Sequence, residues 1–150
     1  MSFSYAFRPG TSQDYEFFRC LHRDTLKEYV AQIWGWDEAV QEKFVRERFD
    51  PHKFQVIQSE GKDIGVMQLE VRPDEWFLAK ILLVPRCQRQ GWGSQILRDL
   101  IAKADHQEVP ITLTVLKPNP ARNLYERLGF VVTRQDEVRY HMRRAPLSTV

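Results

Sequence analysis

One segment constrains this 150-residue chain more than any other: residues 76–94, WFLAKILLVPRCQRQGWGS. Its first nine residues are apolar except for Lys80, as expected of a central strand covered on both faces, and Pro85 stops the run. A basic turn then leads into a helix over residues 91–105, with an apolar stripe at Ile96, Leu97, Leu100, Ile101 and Ala104. Strand, turn and amphipathic helix in that order call for a sheet with a helix laid against it. Glycines at 91 and 93 let the backbone come close to a ligand, and the amides of a helix start suit an anion such as a pyrophosphate. A Gly-x-Gly at a helix start also occurs where a helix simply packs tightly on a strand, so the segment alone leaves the two readings level. It is not a Walker loop, because no Gly-Lys-Ser/Thr follows. As a dinucleotide fingerprint it is poor, since the third glycine position falls on Ile96 and no repeating parallel unit precedes it.

Around this segment the hydrophobic period changes in an orderly way. Residues 5–8, closed by Pro9 and Gly10, read as a strand. Ser12 offers an N-cap for a helix to about residue 32, with Phe18, Leu21, Thr25, Tyr29 and Ile33 on its apolar side. After Trp34-Gly35-Trp36, Asp37 can cap a second helix, expected to bury Val40, Phe44, Val45 and Phe49 before Pro51. Residues 54–58 and 64–71 then read as a hairpin about the turn 59–63. Beyond the helix over 91–105, residues 111–115 alternate as a strand. A short helix follows, with Asn119 as N-cap, Pro120 in its first position and Gly129 just past its end. Two further strands, 130–133 and 137–142, flank the turn 134–136, and residues 145–150 form a loose tail. The order β-α-α-β-β-β-α-β-α-β-β predicts an α+β fold, a mixed sheet covered by helices, as a single domain over residues 1–150.

Composition narrows the function classes. With 43% hydrophobic and 28% charged residues the chain has the balance of a folded protein and not of a disordered one. Its formal charge of +2 is spread along the sequence, so nothing calls for a nucleic-acid partner. Cys20 and Cys87 match no zinc spacing and read as reduced, buried thiols, so no metal is expected. No run approaches the ~18 apolar residues of a membrane span, and the chain is read as cytoplasmic.

A second segment, residues 116–130, reads LKPNPARNLYERLGF. Ala121, Leu124 and Leu128 form its core stripe, and Tyr125 lies one position round the helix, where a lone tyrosine is ordinarily just a packed aromatic. The two segments together, about 30 residues apart, resemble the GCN5-related N-acetyltransferase family. The likeness runs from Phe54 to Met142 and rests on Gln88-x-x-Gly91-x-Gly93 and Asn119-x-Ala121-x-x-x-Tyr125-Glu126-x-x-Gly129-Phe130. It implies the acyl-CoA N-acyltransferase fold, a mostly antiparallel mixed sheet with helices on both faces and two central parallel strands that splay apart. It also implies acetyl-CoA as co-substrate. The pyrophosphate would lie on Gln88, Arg89, Gln90, Gly91, Trp92, Gly93 and Ser94, and the pantetheine arm along the backbone of Leu82, Leu83 and Val84. Asn119 would contact the cofactor and Tyr125 would face its sulfur.

Elementary chemistry agrees with this picture. A thioester is already activated toward amines, so the protein must chiefly juxtapose the reactants, stabilise the oxyanion and protonate the departing thiolate, for which a Tyr125 hydroxyl is suited. No covalent enzyme intermediate is required of either cysteine. Some family members carry a glutamate as base near the start of the central strand, whereas Phe77 stands there in this chain. Glu75 and Glu70 are only nearby; Glu70, Glu75, His22 or a water chain could serve, and the base is unassigned. For the acceptor, Tyr29, Trp34, Trp36 and Asp37 gather aromatic faces and a carboxylate at the joint of the first two helices, suited to a cation. The expected acceptor is a small-molecule amine. A protein or peptide N-acetyltransferase and a non-catalytic acyl-CoA sensor are the alternatives, and the oligomeric state is open, a homodimer included.

Overall fold

The computed structural model describes residues 3–147. Its elements follow the expected order: β1 (Ala6–Pro9), α1 (Tyr15–Trp34), α2 (Glu38–Arg48), β2 (Gln55–Ser59), β3 (Lys62–Val71), β4 (Trp76–Leu83), α3 (Trp92–His106), β5 (Ile111–Leu116), α4 (Ala121–Arg127), β6 (Val131–Gln135) and β7 (Arg139–Arg144). The strands form one seven-stranded sheet in the order β1-β2-β3-β4-β5-β7-β6. The pairs β1–β2, β2–β3, β5–β7 and β6–β7 are antiparallel, and β4–β5 is parallel, joining Trp76 to Ile111 and Phe77 to Thr112. This is the α+β, mostly antiparallel mixed sheet that the sequence predicts.

Element ends differ from expectation where a side chain intervenes. A 3-10 turn at Ser12–Asp14 delays α1 to Tyr15. There the Asp14 carboxylate accepts from the Thr11 N–H at 2.8 Å and from two guanidinium N–H groups of Arg8 at 2.8 and 2.9 Å. The hairpin turn contracts to Glu60-Gly61, both with positive φ (53° and 75°), the geometry that matches the twist of a two-residue connection. The last turn falls at Asp136, whose carboxylate accepts from the N–H groups of Val138 and Arg139. Within the expected tail, the Leu147 N–H donates to Asp105 at 3.1 Å, and residues 148–150 lie outside the described residues.

By its contacts the chain divides into two compact units, Met1–Gln68 with Lys80–Gln90, and Leu69–Ala79 with Gly91–Val150. The first has a core of Phe18, Leu21, Val45, Phe54, Val56, Val66 and Leu82, with Tyr15 and Phe49 against it. The rings of Phe18, Phe49 and Phe54 meet at 5.1–5.7 Å, contacts that add to plain area burial. Of the four residues expected to anchor α2 only Val45 is buried; Val40 is 59% exposed and Phe44 39%. Helix geometry is the reason: at about 100° per residue Val40 points roughly 140° away from Val45, and no single surface can cover both. In α1 the buried set is Phe18, Leu21, His22 and Val30, while Thr25, Tyr29 and Ile33 are half-buried. Gly65 in β3 has a packing role, because a Cβ there would stand 2.3 Å from the Leu82 carbonyl oxygen.

In the second unit α3 buries its whole expected stripe, and β5 turns Ile111, Leu113 and Val115 inward on alternate positions. Buried Arg144 donates to Asp105 at 2.7 Å and, through Nε, to the Leu128 carbonyl at 3.0 Å. The stripe expected of α4 is only half-buried. In β4, Leu78, Leu82 and Leu83 are buried and the other residues are half-buried, so the strand is less thoroughly covered than its composition suggests.

Candidate functional site

The loop after β4 is built by its own side chains. The Val84 N–H donates to Ile64 at 2.9 Å, ending the strand, and Pro85–Cys87 forms a 3-10 turn over the buried Cys87. The Gln88 side-chain amide donates back to the Leu83 carbonyl at 2.9 Å, and that of Gln90 to the Arg86 carbonyl at 2.8 Å. Gln88 thus ties the loop to the strand it leaves, and Gln90 ties its later part to the turn. Arg89 and Gly91 both take positive φ, 60° and 94°. At Gly91 the absence of a Cβ makes this nearly free, whereas Arg89 holds it at a cost. The reversal brings the chain into α3 at Trp92, and the first bond of the helix runs from the Gln95 N–H to the Gly91 carbonyl at 3.0 Å. Amides at Trp92, Gly93 and Ser94 therefore occupy the first turn, where a helix has no acceptor of its own to offer and its dipole favours negative charge. Helix starts of this kind are where anions such as phosphate bind in proteins generally.

In the second unit α4 starts one residue later than expected, with Pro120 at its N-cap, because the Asn119 side-chain oxygen accepts from the Ala121 N–H at 2.9 Å in the turn just before the helix. The end of α4 is bound tightly. Tyr125's carbonyl accepts from the N–H groups of Leu128 and Phe130 at 3.1 and 3.0 Å, and the Tyr125 ring meets Phe130 edge-on at 5.7 Å. Tyr125 is half-buried, and burial pushes its phenol up to about 12. At neutral pH it keeps its proton.

The alternative bases are engaged or neutral. Glu70 accepts from Arg72 at 2.7 Å, and Glu75 accepts from the Thr112 hydroxyl. His22 is buried, with Nε2 3.4 Å from the Gln41 side-chain oxygen, and burial lowers its pKa more than that contact raises it. At the joint of α1 and α2, Trp34 is 56% exposed and Asp37 caps α2 by accepting from the Val40 N–H at 3.1 Å. Lys27 stands 5.8 Å over the Trp36 ring and 3.5 Å from Glu38, so this indole face already holds one ammonium. Burial raises the Tyr29 phenol first, helped by Glu28, while Arg89 opposes it. Sequence reasoning marked Lys80 only as an exception in an apolar strand and gave no role to Arg48. Both belong to a basic cluster with His22, whose members come from β4, α2 and α1 and share no sequence spacing that could have announced them.

Comparison with known proteins bears on the family and the fold. A family model described as an acetyltransferase (GNAT) domain matches residues 24–148. Among solved structures, the PaiA N-acetyltransferase of Thermoplasma acidophilum in complex with coenzyme A superposes with a TM-score of 0.76 at 19% identity, covering 95% of this chain and 99% of that one. The ribosomal-protein-S18-alanine N-acetyltransferase of Escherichia coli gives 0.64 at 22% identity, with 97% and 96% covered. The N-acetylglutamate synthase of Neisseria gonorrhoeae, complexed with coenzyme A and N-acetyl-glutamate, gives 0.62 at 14% identity, over 99% of this chain and 36% of that one. At such identities the structural likeness is one of fold.

Proposed function

The chain belongs to the GCN5-related N-acetyltransferase (GNAT) family, and on that premise we propose that it transfers the acetyl group of acetyl-CoA to an amine of a small molecule. The observation that carries this reading is the loop from Gln88 to Ser94, in which positive φ at Arg89 and Gly91 leads into the start of a fifteen-residue helix. In this reading the pyrophosphate is held by the amides of Trp92, Gly93 and Ser94 with Gln88, Arg89, Gln90 and Gly91 around it. The backbone of Leu82, Leu83 and Val84 holds the pantetheine arm, and Asn119 adds a contact from its amide group while its oxygen accepts from the Ala121 N–H. Bound acetyl-CoA supplies an activated thioester. Tyr125 donates a hydrogen bond to the departing sulfur, and an acceptor that arrives as the neutral amine needs no strong base. The ammonium form is held before reaction by Tyr29, Trp34, Trp36 and Asp37, where it takes over the Trp36 face from Lys27, which stands 5.8 Å from that ring.

The relatives named above act on acceptors as different as a ribosomal protein and an amino acid by their names, so the acceptor must be argued from this chain. The test is thiol release from acetyl-CoA against polyamines, amino acids, aminoglycosides and short peptides. Turnover is expected with a small amine and not with the peptides. Turnover confined to peptides overturns the small-molecule reading, and absence of any calorimetric binding at millimolar acetyl-CoA overturns the acetyltransferase reading itself.

A further inference from the structure

Lys80 is a cation in the middle of β4, half-buried, between Leu78 and Leu82 on one face of the strand. Leu82 sits in the core with Phe18 and Leu21 of α1 and Val45 of α2, so this face of the first unit looks toward those helices. His22 follows Leu21 directly, and Arg48 lies one turn beyond Val45. The Arg48 guanidinium stacks 4.3 Å over the Phe44 ring, whose centroid is 6.1 Å from that of His22. Three basic side chains from three elements therefore converge on one small region.

Half-buried Arg8 has Asp14 and Asp63 as partners, and buried Arg144 has Asp105. Among the described residues the Lys80 ammonium has no ion pair or hydrogen bond. Burial lowers its pKa, and the one charge acting on it beyond that, Arg48, lowers it further; Lys80 in turn adds to the lowering at His22. A desolvated ammonium near a second cation, Arg48, is costly unless a counter-charge arrives. Its position two residues before Leu82 puts it on the strand whose backbone is read as holding the pantetheine arm.

We propose that Lys80, with Arg48 and His22, forms an anion subsite for the acceptor, which therefore carries a carboxylate or phosphate group as well as its amine. This rests on the acetyltransferase reading and names the acceptor class within it: a small amine with an anionic group, the ammonium held toward the joint of α1 and α2 and the anion at Lys80.

Two measurements test it. Calorimetric titration with sodium acetate and with inorganic phosphate, at constant ionic strength set by chloride, should show millimolar binding of at least one. The stronger of the two identifies the anion as carboxylate or phosphate. Lys80→Met, which keeps the stem and removes the charge, should melt no lower than wild type and bind that anion about tenfold more weakly, the worth of one charge-assisted hydrogen bond. In the transfer assay, amines are compared in pairs that differ only in the anion: amino acids with their carboxamides, and phosphoethanolamine with ethanolamine. The wild type should favour the anionic member by about tenfold or more in kcat/KM, and Lys80→Met should lose most of that preference with the KM for acetyl-CoA unchanged. Equal use of both members, or an unaltered preference in Lys80→Met, overturns the subsite. Should acetyl-CoA itself fail to bind, the acetyltransferase reading falls, and the anion titration still decides whether the subsite exists.

Discussion

With its phenol at about 12, Tyr125 lies well above the roughly 8.5 of an ordinary thiol, so complete transfer of its proton to a thiolate runs uphill while a hydrogen bond to that thiolate does not. Tyr125→Phe should keep the fold and the affinity for acetyl-CoA and lower kcat by about 10- to 100-fold, the worth of one hydrogen bond to a charged atom. Because a raised pKa keeps the proton on the oxygen throughout the range below it, the alkaline limb of the pH–rate profile should look the same in both proteins; unchanged kcat with chemistry rate-limiting would leave Tyr125 a packed aromatic. Asp14 tests the fold at the same scale. Arg8, hydrogen-bonded to it, holds its carboxyl at about 2, against an ordinary 3.8. A depressed folded value means stability that is fully present above pH 4 and is lost as pH falls toward 2, worth about 2 kcal/mol by linkage. Denaturant titrations at pH 7 and pH 2 should show Asp14→Asn losing about that much at pH 7 and little at pH 2. At this scale the sequence was legible wherever a residue acts on its own neighbours, as Asp37 does in capping α2. It gave no sign that His22, Arg48 and Lys80 belong together, because each lies on a different element.

Elements were legible in kind and order, because a period of two or 3.6 survives in any local stretch. Their burial was not, because the period says which residues share a face and not how much of that face is covered. The α2 helix shows the limit: Val40 and Val45 could not both face one surface, and the structure chose Val45. Hairpin and turn positions shifted by a residue or two where the Asp14 or Asp136 carboxylate accepted from backbone N–H groups, or where Glu60 and Gly61 took positive φ. The contact least visible in sequence is that of Gly65 with Leu82, since nothing local marks a glycine in a β-strand as obligatory. Gly65→Ala should destabilise by about 1–3 kcal/mol, the usual cost of forcing atoms into a filled site. Thermal unfolding checks it, and a variant as stable as wild type would mean that β3 and β4 can move apart to admit a methyl group.

For the chain as a whole, a ligand that binds the folded state alone and is present at 100 times its dissociation constant adds about 2.7 kcal/mol. Acetyl-CoA should accordingly raise the melting temperature, and Gly93→Asp should abolish the rise by setting a side chain and a negative charge at the start of α3. A wild-type protein whose melting ignores millimolar acetyl-CoA would contradict the binding that family membership leads one to expect. Strand order was the part of the architecture least open to sequence, because pairing between distant segments leaves no local trace. Its least intuitive step is the pairing of β7 with both β5 and β6, at Leu113–Met142 on one side and Val132–Met142 on the other. A ribosome makes β6 before β7, so during synthesis β5 and β6 emerge with bare edges and no partner for each other. Only when Arg139–Arg144 has been made can it slide between them and close both ladders, and until then the nascent chain carries two sticky edges that a chaperone would have reason to cover.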